Sequence, residues 1–180
     1  MQAILEKLHN DHINFDKLLG ILEGQLRLLE DCEVSDLDTA LDAVRYMKEY
    51  PDYVHHPIEN TIFNHFLTHY GQAHEHIHDL LLEHDDMPQL TDRLFEALQN
   101  ALAGFPQERE ELCAILGEYI SIQRKHIDRE EAYVYPMINA KFNEKDWQQV
   151  DRVIDRVEDP LFGKDVHESY QRLFAQIMNQ

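Results

Sequence analysis

The pattern His55-x-x-x-Glu59-x-x-x-Phe63 returns about half a chain later as His126-x-x-x-Glu130-x-x-x-Val134, and both copies lie where apolar residues recur every three or four positions. That period is helical, and a histidine and a glutamate four apart on a helix stand one above the other on one face. Each copy presents an imidazole and a carboxylate together. Two such helices facing one another make a metal site, whereas a simple ion pair needs no duplication.

The same period continues outward from these motifs. With six glycines, six prolines and no β-branched runs, the chain reads as all-α. A first helix is expected from about Ala3 to Leu29, its inner stripe running through Leu5, Leu8, His12, Phe15, Leu19, Leu22 and Leu26. At roughly 1.5 Å per residue it reaches about 40 Å, which suits a bundle. Ser35 is placed to cap the second helix, with Asp38 at the capping-box position. Pro51 and Pro57 interrupt that helix before the period resumes from His55 to Phe66, predicting a kink or a break. Tyr70, Gly71 and Gln72 form the turn. A third helix carries His74 to Met87, meets Pro88 and continues to about Leu102; Gly104 closes it, and Pro106 opens a fourth from about Gln107 to Phe142. Asp146 to Val157 reads as a short helix, the Asp159 to Gly163 turn breaks it, and a last helix runs from about Val166 to Met178. The expectation is a single domain: an up-down-up-down four-helix bundle over about 1–142, with two short helices in an extension over about 143–180.

A net charge of −19, from 35 acidic against 16 basic side chains, disfavours nucleic acid and anionic membrane as partners. The first residues carry scattered charges and no signal-like apolar run, and no later segment approaches a membrane span, so a cytoplasmic protein is expected. Cys32 and Cys113 lack metal-ligand spacing and read as ordinary thiols.

Twelve histidines are too many all to be ligands. His12 lies on the apolar stripe of the first helix, between Leu8 and Phe15. His55 with Glu59 comes from the second helix, His84 from the third, and His126 with Glu130 from the fourth. Four imidazoles and two carboxylates suit iron, manganese or zinc, and the carboxylates allow two metals side by side. Two six-coordinate ions need about twelve donor positions; this set, with both glutamates bridging, fills about eight and leaves room for a small ligand. His65, His69 and His76 read as solvated, His9 as beside the core, and His167 as a tail residue with no partner pattern. Tyr53, Tyr133 and Tyr135 read as packing aromatics, one of which could bond a bound ligand.

The segments Asn10-Asp11-His12, His55-His56-Pro57-Ile58-Glu59, Glu83-His84 and His126-Ile127-Asp128-Arg129-Glu130-Glu131 resemble the signatures of the hemerythrin-like (HHE cation-binding) family, over about Leu8 to Met137. The tail resembles that of a longer bacterial subgroup. The resemblance implies a helical bundle holding a non-haem di-iron centre: two iron ions, Fe2+ or Fe3+, oxo- or hydroxo-bridged. His12, His55, Glu59, His84, His126 and Glu130 are then its ligands, with Glu59 and Glu130 bridging.

The chain also departs from the family pattern. Oxygen-carrying relatives take a fifth histidine from a His-x-x-x-His pair on the third helix, but here Leu80 and Pro88 flank His84 at that spacing. His74 and His78 form such a pair in a shifted register. His56 stands beside His55 and could replace it, and Glu131 could stand in for Glu130. The implied function is to bind, sense or reduce dioxygen, peroxide or nitric oxide. Iron storage or donation for cluster repair is an alternative, which is less expected because such repair proteins usually carry an extra amino-terminal domain with reactive cysteines; catalase-like chemistry is a second. A ferritin-like enzyme would repeat Glu-x-x-His on two helices, and only Glu75-x-x-His78 has that form.

Overall fold

A computed structural model describes residues 2–71, 74–106 and 108–179; the expected turn position Gln72 and helix start Gln107 lie outside the described residues. Helix α1 (Ala3–Glu30) runs the length of the bundle. Helix α2 (Leu37–Tyr50) passes through a π-helical turn, Pro51–His55, into α3 (His56–Tyr70). Helix α4 (Glu75–Leu102) keeps Pro88 inside it. Helix α5 (Arg109–Arg129) passes through a second π-helical turn, Glu130–Val134, into α6 (Tyr135–Lys141). The chain then adds α7 (Glu144–Asp151), a short 3-10 turn (Glu168–Tyr170) and α8 (Gln171–Ile177). No strand occurs among the described residues. Helix α1 packs on α2 and α5, and α4 packs on α2, α3 and α5, which closes the bundle. No helix among the described residues is long and apolar enough to cross a membrane.

Several boundaries differ from expectation: α7 ends at Asp151 rather than near Val157, and the last helix starts at Gln171, after the 3-10 turn, rather than near Val166. Asp36, not Ser35, caps α2: its side chain accepts from the Thr39 backbone N–H at 3.0 Å and from the Thr39 hydroxyl at 2.7 Å. Two carboxylate oxygens satisfy two donors where a serine hydroxyl would serve one. Helix α5 starts three residues beyond Pro106, with Glu108 at its N-cap. The seventh helix starts two residues before Asp146, because Asn143 caps it and Asp146 closes a capping box back onto the Asn143 N–H at 2.8 Å.

Both π turns sit just ahead of a proline. Pro57 and Pro136 lack an N–H, and in a regular helix each ring would press on the carbonyl four residues back. The chain takes one extra residue into the turn instead: the His56 N–H donates to the Pro51 carbonyl and the Tyr135 N–H to the Glu130 carbonyl, each five residues back. The expected interruption near Pro51 and Pro57 is therefore a widened turn within a continuing helix.

Buried apolar residues form two clusters. One gathers Phe15, Leu18, Leu22, Tyr46, Tyr50, Leu94 and Tyr119. The other gathers Leu5, Leu8, Ile62, Phe63, Phe66, Leu80, Val134 and Ile138. Every long helix crosses from one to the other at a histidine: His12 lies between Leu8 and Phe15, and His84 between Leu80 and Met87. A polar layer thus sits across the middle of the bundle. The chain after Asn143 covers its outside, with Trp147 against Phe142 and with Leu161, Tyr170 and Leu173 in the first cluster.

Candidate metal centre

Glu59 and Glu130 occupy the centre of this layer and are both 0% exposed. Glu130 Oε2 lies 3.3 Å from His12 Nε2, while Glu130 Oε1 lies 3.3 Å from His126 Nε2 and 3.4 Å from His84 Nε2. Glu59 Oε2 lies 3.4 Å from both His55 Nε2 and His84 Nε2. The imidazoles face each other in pairs, His12 and His55 with Nε2 atoms 3.0 Å apart, His84 and His126 with theirs 3.1 Å apart. All six residues singled out in the sequence are brought together, from α1, the first π turn, α3, α4, α5 and the second π turn. Donor atoms that could hold a cation fall into two groups sharing Glu59: His12, His55 and Glu59 on one side, and His56, Glu59, His84 and His126 on the other.

His56 is therefore not a substitute for His55; both enter the layer. Consecutive residues of a regular helix point about 100° apart and seldom serve one site. The widened turn that ends at His55 relaxes that restriction. His56 is buried, and its ring stacks on His84 at 4.4 Å between centroids. The shifted pair from α4 takes no part: His74 is at the N-cap of α4 against Phe66, and His78 is exposed. Glu131 does not stand in for Glu130 either, because it lies behind His12.

In four of the rings the other nitrogen donates to an oxygen. His12 Nδ1 donates to Glu131 at 2.8 Å, His55 Nδ1 to Asp11 at 3.1 Å, His84 Nδ1 to Asn60 at 2.6 Å and His126 Nδ1 to Glu83 at 2.8 Å. His56 is the exception: Asp52, one turn back along the chain, stands 3.4 Å from its Nδ1 without a hydrogen bond between them. Partners such as those of the other four fix the tautomer and the ring, leaving the Nε2 lone pair for a cation. They are themselves held: Asp11 by Lys7 at 2.7 Å, Glu83 by Arg129 at 2.6 Å, and Glu131 by His9 at 3.0 Å. Sequence reading missed this outer layer. Only Asp52-x-x-x-His56 carries a local spacing signal; the other four pairs join different helices.

Electrostatics sharpen what the layer needs. Both Glu130 oxygens and Glu59 Oε2 are buried without a hydrogen-bond partner. Leaving an ionised carboxylate so buried costs several kcal/mol unless positive charge is supplied. With protons alone to supply it, burial pulls the His12 imidazole down but the Glu130 and Glu131 carboxylates outweigh this and hold it up to about 10. His55 and His126 are likewise raised, burial being outweighed by Glu59 and Glu130 respectively. His56 goes the other way, lowered by burial and by its neighbours His84 and His126. Asp52, buried and close to Asp92, is pushed up to about 7. The layer must hold either several protons or a few cations, and neutral imidazoles with unpartnered carboxylates are the donor set that cations take.

Among the phenols, Tyr135 belongs to the layer. It is buried, its ring lies flat on His12 at 5.4 Å, and its hydroxyl donates to Glu59 Oε1. Burial and then Glu59 and Glu130 push it well above the usual phenol range, so it stays a donor. Tyr53 is exposed, and Tyr133 is exposed and stacks on His76. His65 is not solvated as expected: its Nε2 meets Asp146 Oδ1 at 3.1 Å, tying α3 to α7. His69 and His76 are exposed.

A four-helix layer of imidazoles around two buried carboxylates defines a cation-binding helical bundle. The chain belongs to the hemerythrin HHE cation-binding domain family, whose model matches residues 3–138. Among curated proteins no sequence match to the chain is found.

Proposed function

We propose that this chain holds two iron ions in the polar layer, ligated by His12, His55, Glu59, His84, His126 and Glu130 with His56 as a fifth imidazole, and that it binds, senses or reduces dioxygen, peroxide or nitric oxide. The observation that carries the reading is the repeated arrangement of four rings, His12, His55, His84 and His126, each with Nδ1 bonded to a carboxylate or amide oxygen, around three carboxylate oxygens of Glu59 and Glu130 that lack partners. Two donor groups sharing one glutamate support two ions rather than one. Mixed imidazole and carboxylate donors suit iron.

Bound iron would supply a redox-active Lewis acid with positions open to a small ligand. The chain's own residues do the rest. Asp11, Asn60, Glu83 and Glu131 orient four of the rings, and the two apolar clusters keep bulk water from the layer. A cavity of about 410 Å³ between α4 and α5, lined by Met87, Leu90, Ile122 and His126, lies beside one ring of the layer. It is wide enough for any of the three ligands.

The test loads the metal-free chain with ferrous iron anaerobically, then adds dioxygen, nitric oxide or peroxide and records absorption spectra. A new charge-transfer band with at least one ligand is expected. Spectra identical to those of iron in buffer would overturn the reading. Oxygen evolution after peroxide would identify catalase-like turnover, and transfer of iron to an acceptor with no ligand response would favour storage or donation.

A further inference from the structure

The two central glutamates differ in one respect. Glu130 has both oxygens free of hydrogen bonds, one facing His12 and the other facing His84 and His126, so it reaches both donor groups with separate atoms. Glu59 has only Oε2 free; Oε1 accepts the Tyr135 hydroxyl and lies 3.9 Å from His12 Nε2. The phenol has little room to leave. It is 2% exposed, its ring is stacked on His12 with 5° between planes, and Val134 and Ile138 of the same segment are fully buried.

The second π turn is what brings Tyr135 there. Five residues on from Glu130, a regular helix would place Tyr135 about 140° around the axis. The widened turn closes with the Tyr135 N–H on the Glu130 carbonyl and sets both side chains into the layer. Phenylalanine in this place would fill the same volume and donate nothing.

We infer that Tyr135 is a positioning residue that leaves Glu59 only Oε2 for metal binding, the one atom that faces His55 of one donor group and His84 of the other, while Glu130 faces the two groups with separate oxygens. This rests on the two-metal reading above and revises the expectation that both glutamates bridge alike. Its consequence is an asymmetric centre, with an open side where Glu59 would otherwise place a second oxygen.

Carboxylate vibrations report the difference, because the antisymmetric and symmetric stretches of a one-oxygen ligand lie further apart than those of a two-oxygen bridge. The experiment is an infrared difference spectrum, iron-loaded minus metal-free, on protein carrying 13C-labelled glutamate. Wild type is expected to show a widely split and a narrowly split pair of bands, and Glu59→Gln to remove the wide pair. Tyr135→Phe is expected to move the wide pair toward the narrow one while iron content stays at the wild-type level. A loaded wild type with only narrowly split bands would overturn the inference without recourse to any variant. So would a Tyr135→Phe spectrum identical to wild type. A wild-type chain that takes up no iron would instead overturn the metal reading on which the inference stands.

Discussion

Replacing Glu131 separates a ligand from a residue that holds one. Its carboxylate accepts from His12 Nδ1 at 2.8 Å and from His9 Nδ1 at 3.0 Å, and it reaches the layer only through the His12 ring. Glu131→Gln removes a charge-assisted bond that fixes the His12 tautomer but leaves every donor atom of the centre in place. Losses of outer partners of this kind typically weaken metal binding about 10 to 100-fold, or about 1.4 to 2.7 kcal/mol. Glu130→Gln instead takes away a carboxylate that faces three imidazoles at 3.3 to 3.4 Å, and full retention of both metals is not expected. The assay is iron titration of each metal-free variant in competition with a chromogenic chelator. Glu131→Gln should still bind two irons per chain, one of them more weakly by that factor. If Glu131→Gln loses a whole equivalent while Glu130→Gln retains two, the positions of the two residues in this account are reversed.

Further outcomes follow from the same geometry. His56→Ala should lose tight binding of one iron, whereas His78→Ala should retain two, as elemental analysis after desalting would show; equal retention in both would remove His56 from the centre. Asp146, which accepts from Tyr70 and His65, has its carboxyl lowered to about 2, these bonds outweighing burial. A depressed carboxylate stabilises the fold above its ordinary value of 3.8 and loses that contribution as pH falls toward about 2. Asp146→Asn should therefore lower the urea midpoint at pH 7 and converge with wild type near pH 2; a gap independent of pH would contradict this. Leu161, fully buried where the extension meets the bundle, should cost about 2 to 5 kcal/mol when changed to alanine, measured by urea unfolding of the metal-free chain.

The bundle was legible in the sequence because its helices advertise themselves: stripes at three and four residues, a duplicated His-x-x-x-Glu, and one histidine on each stripe. Those features placed His12, His55, Glu59, His84, His126 and Glu130 in one layer, and their side chains do meet there. What was not legible depends on departures from the regular helix. A residue count of 3.6 per turn sends His56 away from His55 and Tyr135 away from Glu130, and only the widened turns ahead of Pro57 and Pro136 bring each pair to one side. The family pattern puts a fifth imidazole on the third helix, which kept His74 and His78 as candidates beside His56. The outer partners were hidden for a different reason: Asp11, Asn60, Glu83 and Glu131 find their histidines across helix interfaces, which sequence spacing does not encode. His65 looked like a surface histidine near a turn until α7 laid Asp146 against it.

The central claim is that the polar layer is a two-metal site. The most direct test is elemental analysis of the wild-type chain, expressed with added iron and purified without chelator. The account predicts about two irons per chain, falling when Glu59 and Glu130 are both changed to glutamine while the helical content stays the same. A metal-free chain that takes up no iron when ferrous ion is supplied anaerobically would contradict it.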